Sequence, residues 1–141
     1  METLISLLQA YLDKTFDLDT FAKQFIEYWN DIRIEQNKAI HEQGIRPQLD
    51  VLWKQYQDDI LDEHRYAEQW HLIIAQVKDV RIAPHSVIDT AGNELYNKLI
   101  LYQESEHLEE DEIPTPLEIL TKSKEVLELI EHNSIGDDDL V

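Results

Sequence analysis

Apolar positions along this chain recur every three to four residues, in blocks separated by short polar or proline-bearing breaks. That is the period of helices with one buried face. The first block, Leu4, Ile5, Leu8, Tyr11 and Leu12, predicts a helix from about Thr3 to Asp13. Asp17 then offers a side-chain oxygen to the open amides at the start of a second helix. Phe21, Phe25, Tyr28, Trp29, Ile32 and Ala39 or Ile40 form its inner face, and Gly44 and Pro47 close it. The two make a helical hairpin.

The longest uninterrupted block runs from Gln48 to Val80, with no glycine or proline inside it. Leu49, Leu52, Trp53, Tyr56, Ile60, Ala67, Trp70, Ile74 and Val77 keep helical spacing and predict one core-facing helix. Such a helix would be about 50 Å long, whereas a compact domain of this size has a radius of gyration of about 14 Å. Either it projects or it breaks. The acid-rich run Asp58 to Glu63 is where a break is expected, because Asp competes with the helix interior and caps helix starts well.

Beyond this block, Arg81 to His85 reads as a loop, and a further helix begins between Ser86 and Asn93 with Leu95, Tyr96, Leu99 and Tyr102 buried. Glu104 to Glu112 is a charged linker. Thr115-Pro116-Leu117-Glu118 has the form of a capping box with proline in the first turn. It opens a loosely attached last helix whose inner face is Leu117, Leu120, Lys124, Leu127 and Ile130 or Glu131. The pattern contains no repeat and no strand. It predicts an all-α, single-domain antiparallel bundle of about five helices with an acidic C-terminal extension. The expected divisions are a bundle over 1–108, an acidic, proline-bearing linker over 109–116, a C-terminal helix over 117–132 and a disordered acidic tail over 133–141.

The segment Leu4-Ile5-Ser6-Leu7-Leu8-Gln9-Ala10-Tyr11-Leu12-Asp13, with Phe16-Asp17-Leu18-Asp19-Thr20-Phe21-Ala22-Lys23-Gln24-Phe25 and Tyr28-Trp29, resembles the opening of colicin-like bacterial immunity proteins. These include partners of colicin-type nucleases and of contact-dependent inhibition toxins. The likeness rests on Tyr11-Leu12-Asp13 and on the spacing of Phe21, Phe25 and Trp29, and it covers about the first thirty residues. Asp19-Thr20 stands where two acids are commoner in that family, and the acidic linker and last helix lie outside its pattern. The resemblance implies toxin neutralisation by binding and assigns no individual binding residue.

Composition narrows the classes. The chain of 141 residues is 43% apolar, with three Trp, six Tyr and three Phe, enough for a core without staples. Cysteine is absent, which excludes disulfides and thiolate metal sites. The start Met1-Glu2-Thr3 has no basic, apolar signal, and no apolar run is long enough to span a bilayer, so a cytoplasmic protein is expected. The formal charge is −18. Nucleic acid and anionic membrane are therefore excluded as expected partners, since both are polyanions that need Lys and Arg. Residues 1–103 carry 17 acids against 10 bases, and residues 104–141 carry 13 against 2, so the acidity grows toward the C-terminus.

Catalytic chemistry finds little support. Two Glu-x-x-His segments, Glu68 to His71 and Glu104 to His107, have the spacing used in di-iron bundles. Glu68, however, points off the apolar stripe, and the second segment lies in the charged run. His85, Ser86 and Asp89 are too near in sequence for a triad and sit where caps are expected. Glycines 44, 92 and 136 cannot form a phosphate-cradling loop. No enzyme activity and no cofactor are expected.

What remains is a binding surface. Asp58, Asp59, Asp62 and Glu63 cluster within two turns, Asp31 and Glu35 lie on the polar face of the second helix, and Tyr66 lies off the apolar stripe as an aromatic anchor. Lys54 and Arg65 stand at pairing distance in sequence from Asp58 and Asp62. Trp29, Trp53 and Trp70 all fall on apolar faces and are expected in the core. The expected function is to bind and neutralise a basic toxin, a nuclease or RNase domain, by covering its active site with complementary charge. The alternatives are an acidic helical adaptor or nucleic-acid mimic acting on a basic protein and, more remotely, a carboxylate-bridged di-metal protein. Charge reversal at Asp58, Asp59 and Asp62 is expected to weaken binding and leave folding stability nearly unchanged.

Overall fold

The computed structural model describes the backbone of residues 2–140 and the side chains of residues 3–132. Among the described residues there are six α-helices and no strand: α1 (Glu2–Leu12), α2 (Leu18–Glu42), α3 (Ile45–Gln57), α4 (Glu63–Ile74), α5 (Val87–Gln103) and α6 (Pro116–Leu140). The chain is all-α, as its periodicity predicts. No described helix is long and apolar enough to cross a membrane. Contacts group the chain into two compact units, Met1–Asp31 with Val87–Val141, and Ile32–Ser86.

In the first unit the hairpin forms as the caps dictate. Asp17 Oδ1 accepts from the Thr20 amide at 2.8 Å, which starts α2; this bond, and after it one from the Thr20 side chain, hold the Asp17 carboxyl below its usual range. Leu4, Leu7 and Leu8 of α1 and Phe21, Phe25 and Trp29 of α2 are buried, and Tyr11 stacks on Phe21 with ring centres 4.4 Å apart. Leu95 and Leu99 of α5 are fully buried as well. Trp29 Nε1 donates to Asn93 Oδ1 at 2.8 Å, so the indole is oriented as well as buried.

The last helix departs from expectation. Its capping box is present, with the Glu118 amide bonded to Thr115 Oγ1 at 3.1 Å and the Thr115 amide to Glu118 Oε2 at 3.3 Å. The buried face, however, is Ile119, Ser123, Val126 and Ile130, while Leu117 is 71% exposed and Lys124 is exposed. Both sets have helical spacing. Ser123 makes the true set look less apolar, yet its hydroxyl donates to the Ile119 carbonyl at 2.7 Å and so enters the core satisfied. α6 packs on α5 and α1 through this face and is no loose appendage. Lys122 adds ion pairs to Glu94 and Glu125. Between α5 and α6 the charged run folds into 3-10 turns at Ser105–His107 and Glu110–Glu112. The acidic tail expected over 133–141 lies outside the residues whose side chains are described.

One contact of this unit yields a pH prediction. The Tyr102 hydroxyl donates to Asp19 Oδ1 at 2.5 Å; this bond, then burial, then the carboxylate charge push the phenol up to about 12. An unfolded tyrosine loses its proton near pH 10. The bond therefore stabilises the fold fully below about pH 10 and its contribution is lost as the pH climbs toward 12. In a tyrosinate absorbance titration, Tyr102 is expected to ionise late, as is Tyr11, whose phenol burial also pushes up, and Tyr102→Phe should diminish the late step by one phenol. A late step of undiminished amplitude in the variant would assign it to other tyrosines.

The second unit contains the remainder of α2, then α3, α4 and the segment up to Ser86. Its core joins Ala39, Ile45, Ile74 and Val77, with Ile40, Leu49, Trp70, Ile73 and Val80 packed around them. The stretch Gln48 to Val80 is not one helix: α3 already starts at Ile45, the chain breaks at residues 58–62, and α4 ends at Ile74. Past α4 the backbone has no helix ladder, and α2 side chains take over its polar groups. Gln43 bonds both the amide and the carbonyl of Lys78, at 2.9 and 2.7 Å. Buried Gln36 donates to the Ile82 carbonyl at 2.9 Å. Irregular backbone can be buried only when such partners exist.

Candidate functional site

The break between α3 and α4 is built by the acidic residues themselves. At the end of α3 the Asp58 amide bonds the Lys54 carbonyl at 2.9 Å, and the Asp59 amide bonds that of Tyr56 at 3.2 Å. Asp59 takes a left-handed conformation, φ 59°, which a short polar side chain tolerates. Asp62 then caps α4, its Oδ1 accepting from the Arg65 amide at 2.8 Å. One acidic run thus supplies a helix stop and the next helix start.

That turn brings three aromatic rings together. Trp53 and Tyr56 come from the last turns of α3, and Tyr66 from the first turn of α4. Ring centres are 5.8 Å apart for Trp53–Tyr56, 5.9 Å for Trp53–Tyr66 and 4.8 Å for Tyr56–Tyr66. Trp53 is 48% exposed, so it is a surface residue and not the core residue its place on the stripe predicts. Ile60, another stripe member, is 69% exposed because the break turns it outward. Tyr66 is half-buried in the cluster and is no isolated anchor. Asp58, Asp59, Asp62 and Glu63 are all exposed around the break. Lys54 pairs with Asp58 at 3.4 Å, whereas Asp62 engages the backbone of Arg65.

Five of the expected binding residues, Asp58, Asp59, Asp62, Glu63 and Tyr66, therefore share one corner. Glu35 has other work. Its two carboxylate oxygens accept from the amide and Nε of Arg81, at 2.8 and 2.7 Å. Burial pushes this carboxyl up, but the bonds and charge of Arg81 prevail and hold it below its usual range. Together with Gln36 and Gln43 it ties the segment after α4 to α2. Asp31 belongs to the other unit, where it lines a shallow depression with Lys23, Glu27 and Tyr28.

Glu68 accepts from His64 Nε2 at 3.0 Å, one turn back, while the His71 ring stands edge-on to Trp70. Among the described residues no three His, Cys, Asp or Glu side chains gather as a metal site. Ser86 Oγ donates to the Ala83 carbonyl at 2.7 Å, and the His85 ring stands edge-on to Trp70 with centres 4.4 Å apart. The hydroxyl stabilises a turn ahead of α5.

The aromatic triad is what sequence reasoning missed. Its signal was an acid-rich break flanked by Trp53 and Tyr56 on one side and Tyr66 on the other, which becomes a contact once the break is taken as a hairpin. No family model, curated protein or solved structure matches the chain.

Proposed function

We propose that this chain is a binding protein that neutralises a basic toxin domain, a nuclease or RNase, with the corner between α3 and α4 as its contact surface. The observation that carries this reading is the set of four exposed carboxylates around an exposed tryptophan, held on a backbone that its own hydrogen bonds fix. Carboxylates placed on helix ends can occupy phosphate positions in a basic cleft and speed association by steering. Trp and Tyr are the side chains that anchor such contacts. The likeness of the N-terminal hairpin to colicin-like immunity proteins points the same way.

Protection tests it. Cells producing the nuclease domain encoded beside this chain's gene are expected to survive only when the chain is co-expressed. Absence of such a neighbour, or no protection by the unaltered chain, would overturn the reading. The variants follow from the geometry: Asp62 caps α4, and its replacement costs about 1 kcal/mol, while Asp59 holds a left-handed residue. Charge changes there would confound binding with folding, contrary to the expectation that all three could be reversed freely. Asp58→Lys with Glu63→Gln avoids both; it gives up the exposed Lys54–Asp58 pair and the first-turn acid of α4, and should stay within about 1 kcal/mol of the parent. The pair is expected to weaken toxin binding and flatten its salt dependence. Unchanged affinity at low salt would remove the corner as the contact surface.

A further inference from the structure

Resting on that reading, we infer that the corner between α3 and α4 recognises an arginine-bearing segment of its partner, with a guanidinium stacked on the Trp53–Tyr56–Tyr66 rings and paired to the surrounding carboxylates. Three rings in mutual contact, one of them half exposed, present an electron-rich surface. Such a surface attracts a cation over its face. Asp58, Asp59, Asp62 and Glu63 are exposed beside it.

The charge decides among occupants. A second copy of this chain would bring its own net charge of −18 to an acidic corner, and nucleic acid would bring phosphates. Both are repelled. A purely apolar peptide would cover the rings and Ile60 but strip water from the carboxylates without pairing them, which is costly. Arginine satisfies both halves of the surface, because its planar guanidinium stacks on aromatic faces while its rim of N–H groups bonds carboxylates. Lysine, a strongly hydrated point charge, does the second and not the first. The corner is therefore expected to discriminate between the two cations, which a merely acidic surface would not.

The probe is a pair of synthetic decapeptides, all arginine and all lysine, titrated into the full chain while the indole N–H signals of the three tryptophans are followed by NMR. The indole of Trp53 is expected to shift on saturation, that of buried Trp29 to stay, and arginine to bind about tenfold more tightly than lysine. Trp53→Ala should abolish that preference and leave lysine binding in place. Equal affinity for the two peptides, or an unmoved Trp53 signal, would overturn the inference. Circular dichroism of the Trp53→Ala chain checks that it remains helical, and Trp53→Phe, which keeps a ring, should retain part of the preference. Protection assays separate the two ideas. Full protection by Trp53→Ala would sink arginine recognition and leave neutralisation standing. An arginine preference in a chain that protects against nothing would do the reverse.

Discussion

Gly92→Ala is expected to destabilise the chain by about 2–3 kcal/mol, the upper part of the range for forcing extra volume into a close-packed site. On an exposed helix face the same change would stabilise by about 1 kcal/mol, because glycine is the poorer helix former. Position 92 is buried in α5, and a Cβ there would lie 2.1 Å from Trp29 Cη2 and 2.6 and 2.7 Å from Cζ2 and Cζ3. These are atoms of the indole body, which has no solvent exposure and whose Nε1 is held by Asn93. The ring cannot slide away without breaking that bond or opening space elsewhere in the core. Urea unfolding of the single variant measures the cost. Trp29→Phe removes the far edge of the indole, so the double variant should be less destabilised than the sum of the singles, a coupling that a double-mutant cycle reads directly. Simple additivity, or a Gly92→Ala chain as stable as its parent, would mean that the helices do not approach so closely.

Gly92 also shows where sequence pattern ends. A glycine within an apolar period looks like a weak point in a helix, and only the partner side chain across the interface reveals it as a contact position. The hairpin was legible because every cue agreed: Asp17 as cap, the Phe21, Phe25 and Trp29 spacing, and Gly44 as terminator all occupy their expected places. The central stretch misled because periodicity carries no phase information across a break. Trp53 and Ile60 keep time with Ile74 only if the helix continues, and the physical cue against continuation lay in Asp58, Asp59 and Asp62, which terminate, turn and cap. Of the candidate site, the acidic half was visible as composition. The aromatic half needed the hairpin, since Tyr66 reaches Trp53 and Tyr56 only after the chain reverses. Glu35 looked like free surface charge on a polar helix face, and its partner lies 46 residues away, beyond any local rule.

Val126→Asp is expected to lower stability by about 4 kcal/mol or to prevent folding, whereas Leu117→Asp should change it by less than about 0.5 kcal/mol. The two residues are the sharpest contrast between the two possible faces of α6. Both leucine- and isoleucine-bearing sets satisfy a 3.6-residue period, so propensity cannot choose between them. Packing chooses, because Val126 has no exposure and lies in the row Ile119, Ser123, Val126 and Ile130, while Leu117 is open to solvent. A carboxylate at 126 would lose its hydration with no cation in that row to replace it. Lys122, four residues back on α6, is already shared by Glu94 and Glu125. A neutral control, Val126→Ala, separates lost packing from buried charge and should cost about 1–3 kcal/mol. Equal tolerance of aspartate at 117 and 126 would show that α6 contributes little to the first unit, and greater damage at 117 would restore the face that periodicity first favoured. If the contrast holds, α6 is joined to the core of the first unit through Ile119, Ser123, Val126 and Ile130.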